Sequence, residues 1–300
     1  MKRKSDPWYY VLNRGAAQLV PLDLAYRASE PIADTFHALW RRKRETARRN
    51  YALISGRPAG DPVVQGMSRQ CFREFGRYVV ELLHVQGWGQ DTVAERLTVE
   101  GEEHFDDAEA AGKGVIFVSA HMGSAEVAAA IAMKRGYRIT SVAEELRPAI
   151  LWDWLRTCRA KMGVTLLPVG RSGIGLLRVL RKKEMVALVI DAGAYRGTGV
   201  PVTFFGRPTV FPDGPARLAR LSGAPLVFGL AVRKPNGRFL AIVAPPVYPD
   251  GKAKAAEDVR RMTQEIAVVF EEFVRRHPEQ WYVFREIWPQ ADGRIQGDRE

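Results

Sequence analysis

The chain is 300 residues long, with a formal net charge of +11, 46% hydrophobic and 26% charged residues. That balance excludes an intrinsically disordered chain and supplies apolar side chains for one large α/β core or two smaller ones. The excess of base points to anionic lipid, nucleic acid or an acidic carrier as partner. Two cysteines, Cys71 and Cys158, exclude a disulfide framework and suit a reducing compartment, and no uncharged apolar run reaches bilayer-spanning length.

Residues 1–87 read as a helical N-terminal region and 88–300 as an α/β core expected to form one continuous domain. The basic start, MKRKSDPWYYVLNRG, is broken by Asp6, Pro7 and Arg14, so it lacks a signal-peptide core. Trp8, Tyr9 and Tyr10 precede an apolar stretch at 16–24, and Trp40 leads into Arg41, Arg42, Lys43, Arg44, Arg48 and Arg49. Residues 1–60 hold twelve Lys/Arg against five Asp/Glu, so most of the net charge lies there. Two readings of this region stand side by side. One is a solvated helix face; the other is a peripheral anchor with aromatics at headgroup depth and arginines on lipid phosphates. Nucleic acid is not expected as a partner, because no helix-turn-helix, zinc or RNA-binding aromatic signature accompanies the charge.

Further along, 67–85 has helical apolar spacing (Cys71, Phe72, Phe75, Tyr78, Val79, Leu82 and Leu83), Thr98 and Val99 hint at a strand, and 104–111 reads as an acidic helix. Residues 115–118 form a β-branched run expected to be a buried strand that ends before His121. Ser124 is the expected N-cap of an alanine-rich helix, which puts Glu126 in its first turn. Strands are expected at 137–143, 164–169 and 185–190, and helices at 148–162, 174–183, 213–222 and 253–276. Two more strands, 225–232 and 238–244, flank Asn236-Gly237, a hairpin signal. The alternation predicts an α/β fold: a mostly parallel sheet flanked by helices, with an antiparallel hairpin. The stretch 192–212 reads as a long loop bearing Phe204, Phe205 and Gly206, whose aromatics either line an acyl groove or dock the loop on the core.

His121 and Glu126 form a His-x-x-x-x-Glu pattern across a strand–helix turn, the end of an α/β sheet where ligands bind. A neutral imidazole there can take a proton from a hydroxyl, and a carboxylate on its other nitrogen fixes the tautomer and stabilises the imidazolium. Asp191, at the end of another apolar strand, occupies the equivalent position; it is expected to bond a substrate hydroxyl, support the histidine or cap the loop. No Gly-x-Ser-x-Gly elbow and no His-Glu-x-x-His is present, which removes the main supports for serine-hydrolase and metalloprotease readings. No metal is required.

Several stretches in order carry a resemblance: GVIFVSAHMGSAE at 114–126, Arg159-x-x-x-Gly163, 185–191, VTFFGRP at 202–208, PDGPARLA at 212–219, Gly223-Ala-Pro225 and HPEQW at 277–281. Together they resemble the bacterial lipid A biosynthesis lauroyl acyltransferase family, which includes phosphatidylinositol mannoside acyltransferases. The resemblance implies transfer of a fatty acyl group from acyl-CoA or an acyl-carrier protein, with no further cofactor, to a hydroxyl of a glycolipid or lysolipid. It implies His121 as base with Glu126 orienting it, and Arg159, Asp191, Phe204, Phe205 and Gly206 as substrate contacts. The basic charge, the two cysteines and the lack of a spanning stretch lead to the expectation of a peripheral protein on the cytoplasmic face of an anionic membrane. The rival expectations are an acyl thioesterase on the same scaffold and a non-catalytic basic membrane- or nucleic-acid-binding protein.

Overall fold

The computed structural model describes residues 19–88, 92, 95–169, 173–191 and 199–288. The aromatic start at 8–12, the glycine stretch at 170–172 and the first part of the segment after Asp191 lie outside the described residues.

Among the described residues the N-terminal part holds α1 (Leu22–Leu39), α2 (Arg41–Ser55) and α3 (Pro62–His84). Trp40 separates the first two with non-helical backbone, and Gly56 ends the second in the left-handed region at φ 68°. The Asp61 carboxylate accepts from the Val63 amide at 2.8 Å, and Pro62 takes the first helical position, where its missing N–H costs nothing.

The α/β portion then runs β1 (Leu97–Glu100), α4 (Glu103–Ala110), β2 (Val115–Ser119), α5 (Ala125–Lys134), β3 (Ile139–Ala143) and α6 (Ala149–Lys161). It continues through β4 (Val164–Pro168), α7 (Gly173–Arg181), β5 (Met185–Val189), β6 (Val200–Phe204) and β7 (Arg207–Phe211). The last elements are α8 (Gly214–Ser222), β8 (Leu226–Arg233), β9 (Phe239–Val243) and α9 (Ala255–Arg276). Among the described residues, seven strands form one sheet in the order β1-β9-β8-β2-β5-β3-β4. All neighbours are parallel except β8 and β9, the hairpin expected around Asn236-Gly237.

Side chains alternate across the sheet, so one strand feeds two cores. From β2, Ile116 and Val118 join the larger cluster with α2, α3, α7, α8, α9 and Trp281, while Val115 joins the smaller one with α4, α5 and α6. Central β8 is buried along its whole length, as a strand covered on both faces must be.

The expected loop at 192–212 is corrected in its second half. β6 and β7 pair as an antiparallel two-stranded sheet across Phe205 and Gly206, both with positive φ (51° and 69°). That is the backbone a tight primed hairpin turn needs. The apolar alternation Val200, Val202, Phe204 was the available signal.

Candidate active site

The register of β2 against β5 builds the site. Ser119 lies opposite Val189, and the Ile190 amide donates to the Ser119 carbonyl at 2.9 Å, so two residues further His121 meets Asp191. His121 Nδ1 lies 2.8 Å from Asp191 Oδ1, and the His121 backbone N–H donates to both carboxylate oxygens at 3.0 Å. The Trp281 indole N–H donates to Asp191 Oδ2 at 3.0 Å. Asp191 is buried, whereas the His121 side chain is 53% exposed. A fixed carboxylate thus stands behind an imidazole whose Nε2 takes no protein partner among the described residues.

Burial opposes the charge on both partners, and each offsets it for the other. The Asp191 carboxylate, through its charge and hydrogen bond, raises the His121 pKa above the ordinary 6.5; Arg285 and Arg159 pull it partway back. The His121 ring, the Trp281 indole and the His121 amide hold Asp191 below the usual carboxylate range despite its burial.

Residues 121–123 are pinned from the far end of the chain. Tyr282 N–H donates to the His121 carbonyl at 2.8 Å, Gly123 N–H to the Gln280 carbonyl at 3.0 Å, and the Tyr282 hydroxyl to the Gly123 carbonyl at 2.7 Å. Gly123 has φ 64°, and a Cβ there would stand 2.0 Å from the Ala231 carbonyl oxygen, so only glycine fits this turn.

The expected pairing of His121 with Glu126 is not the one formed. Glu126 is buried in the first turn of α5, where its Oε1 accepts from Arg159 Nε and Nη2 of α6 at 3.3 and 3.2 Å. Lateral strand register, not sequence proximity, supplies the histidine's carboxylate. Tyr78 of α3 lies against the Glu126–Arg159 pair, and burial together with the Glu126 charge pushes its phenol pKa up. Ser124 holds the N-cap position, but its buried hydroxyl makes no capping bond and finds no partner among the described residues.

The structure therefore brings together His121, Asp191, Arg159 and Glu126. It does not make Phe204 a substrate contact. That ring is fully buried, stacked on Phe270 and Trp288 at centroid distances of 5.2 and 5.6 Å. Phe205 and Gly206 form the hairpin turn, where the Phe205 amide donates to Glu271 and its ring lies under Arg275. Trp281, Tyr282 and Tyr78 were missed as parts of the site. HPEQW was visible at 277–281, yet nothing in a lone tryptophan signals a buried carboxylate 90 residues earlier.

A family model described as bacterial lipid A biosynthesis acyltransferase matches residues 2–290. The chain belongs to this family. The enzyme is 30% identical over 250 residues to a phosphatidylinositol mannoside acyltransferase of Mycobacterium tuberculosis, covering 81% of this chain and 77% of that protein. It is 27% identical over 248 residues to the phosphatidylinositol mannoside acyltransferase of Mycolicibacterium smegmatis, covering 81% and 79%. The lipid A biosynthesis lauroyltransferase of Escherichia coli is 27% identical over 215 residues, covering 70% and 67%. The enzyme is an acyltransferase of this lipid A and phosphatidylinositol mannoside type.

Proposed function

We propose that the enzyme moves a fatty acyl group from an acyl thioester to a hydroxyl of a glycolipid or lysolipid, with His121 as general base. The observation that carries this reading is the half-exposed His121 imidazole held through Nδ1 by buried Asp191. Nε2 takes the acceptor proton as the hydroxyl oxygen attacks the thioester carbonyl; Asp191 keeps the tautomer and meets the charge that develops on the ring. The protonated ring then returns the proton to the departing thiolate. Neither cysteine suits a covalent route: both are buried, and burial raises the Cys71 thiol to about 12. Direct transfer between two bound substrates follows.

The amides of residues 121–124 are committed within the protein, so the first-turn amides of α5, uncapped by any side chain, are the donors offered to the oxyanion. Arg159, fixed by Glu126, faces a phosphate or sugar group of the acceptor. An aromatic ledge of Phe75, Tyr78 and Phe284, backed by buried Tyr282 and with neighbouring centroids 5.3–6.0 Å apart, offers apolar surface for an acyl chain. The relatives' named substrates support a glycolipid acceptor.

Substrate of this kind lives in a membrane, and we place the enzyme peripherally on its cytoplasmic face. Among the described residues no helix is long and apolar enough to cross a bilayer. Yet α1 exposes Ile32, Phe36 and Leu39 at helical spacing, next to exposed Trp40, Arg41 and Arg42.

An acyl-thioester assay with and without glycolipid acceptor tests the reading. Acceptor-dependent ester formation is expected; thioester hydrolysis indifferent to acceptor would establish a thioesterase, and neither would leave a binding protein. His121→Ala is expected to lower transfer by about 10²–10⁴-fold with the fold unchanged.

A further inference from the structure

Asp191 has two oxygens and two kinds of partner. His121 Nδ1 engages Oδ1, and the Trp281 indole N–H engages Oδ2 from the other side of the carboxylate. Trp281 has no exposed surface; its ring is packed edge-on against Phe204 and Phe270, at 5.9 and 5.6 Å between centroids. Its carbonyl accepts from the Tyr51 hydroxyl at 3.0 Å and lies 3.4 Å from Cys71 Sγ, so α2 and α3 clamp it as well. The next residue, Tyr282, bonds the His121 carbonyl. One short segment therefore grips both members of the pair.

We propose that Trp281 is a positioning residue for acyl transfer, its indole N–H locking the rotation of the Asp191 carboxylate so that Oδ1 stays on His121 Nδ1. A carboxylate at the end of a strand can turn about its last torsion, which is broad and soft. The His121 amide donates to both oxygens alike, at 3.0 Å, so it favours neither; the indole on Oδ2 with the imidazole on Oδ1 removes the remaining freedom, and a rigidly backed base is what preorganised catalysis requires. The indole suits this task because it donates and cannot accept, so it never competes with Asp191 for the imidazole proton. The inference rests on the reading of His121 as the base.

The charged and titratable groups around His121 are Asp191 after β5, Arg159 of α6 with its partner Glu126 of α5, and Arg285 of the C-terminal segment. Trp281→Phe changes none of them and keeps the aromatic packing. With the indole donor gone, the Asp191 charge is relieved by one donor fewer, leaving the imidazolium and the His121 amide, so His121 should hold its proton to higher pH.

The test compares wild type with Trp281→Phe in turnover and in ¹⁵N-histidine NMR, with the His121 signal assigned by its loss in His121→Gln. The expected result is a kcat about tenfold lower, the low end of what a hydrogen bond to a charged group is worth, with KM for acceptor unchanged. The acid limb of the pH–rate profile and the His121 titration should both move upward. A folded variant with wild-type turnover and an unmoved His121 titration overturns the proposal. A variant that does not fold leaves a test in the wild-type protein. One indole N–H resonance should follow pH with the His121 midpoint and stop doing so in His121→Gln; if no indole resonance tracks that midpoint, Trp281 is not coupled to the pair. An active His121→Ala enzyme would instead sink the reading of the base, whatever Trp281 does.

Discussion

At the scale of single residues, the imidazole of His121 is reachable while the carboxylate behind it is not. With His121 as the proposed base, its raised pKa means that the unprotonated ring becomes available as pH climbs through a value above 6.5, so kcat should rise along an acid limb centred above that pH. Asp191→Asn removes the charge that raises it. The limb should then move to lower pH while the plateau falls by roughly 10²-fold or more, since the charge facing the imidazolium is lost. A pH–rate profile of both proteins reads the two effects separately, and a limb that stays in place would detach Asp191 from the titration. Glu126→Gln has a different expected signature. It leaves the Arg159 guanidinium, four-fifths buried, without its counter-charge. The cost should be about 2 kcal/mol in urea unfolding, with a smaller loss for Glu126→Asp. Unchanged stability together with lost turnover would return Glu126 to a direct part in the chemistry.

Among the elements, the joint between the leading helices and the sheet decides where Tyr78 and the aromatic ledge stand. Arg233, the last residue of β8, is buried and pairs with Glu74 and Glu81 of α3. Tyr26 of α1 donates to Glu81 at 2.7 Å, and Gln280 brackets the Arg233 backbone from the C-terminal side. Arg233→Met would leave Glu81 buried with only the Tyr26 hydroxyl, whereas Glu74 keeps Arg77. Loss of one partner from a buried ion pair typically costs about 3–5 kcal/mol. Urea unfolding should show a drop of that order, and adding Glu81→Gln should recover part of it. Equal stability of the single variant and wild type would mean that water reaches the cluster.

For the molecule as a whole, the basic N-terminal cluster divides in two. Arg44 donates to the His37 and Ala38 carbonyls at the end of α1, Arg48 pairs with Glu45, and Arg49 with Glu286. Arg41 and Arg42 are exposed beside the apolar residues of α1. Each basic residue near an anionic surface is worth about 1 kcal/mol, falling with salt. Arg41→Glu with Arg42→Glu should therefore remove most of the salt-sensitive binding to anionic vesicles and spare turnover on a detergent-dispersed acceptor. Reversing Arg44 should instead unfold the α1–α2 corner. Vesicle sedimentation at two salt concentrations checks this, and wild-type pelleting by the double variant would reduce the cluster to a solvated face.

Local pattern alone determined the class of fold. Short β-branched runs alternating with helical periods at 115–118, 164–168 and 185–189 admit little but a parallel sheet, and Asn236-Gly237 admits little but a hairpin. It also determined that His121 stands at a strand's carboxyl end, because a buried strand must stop where polar residues and Gly123 begin. Which carboxylate meets it was decided by tertiary structure. Glu126 is five residues away in sequence, but the start of α5 turns it inward onto Arg159; Asp191 is seventy residues away and arrives because β5 is hydrogen-bonded to β2 in that register. The same limit hid Trp281 and demoted Phe204 to the core. Periodicity reports which face of an element is apolar, whereas the partner across a sheet is chosen by strand order and register, which no local window contains.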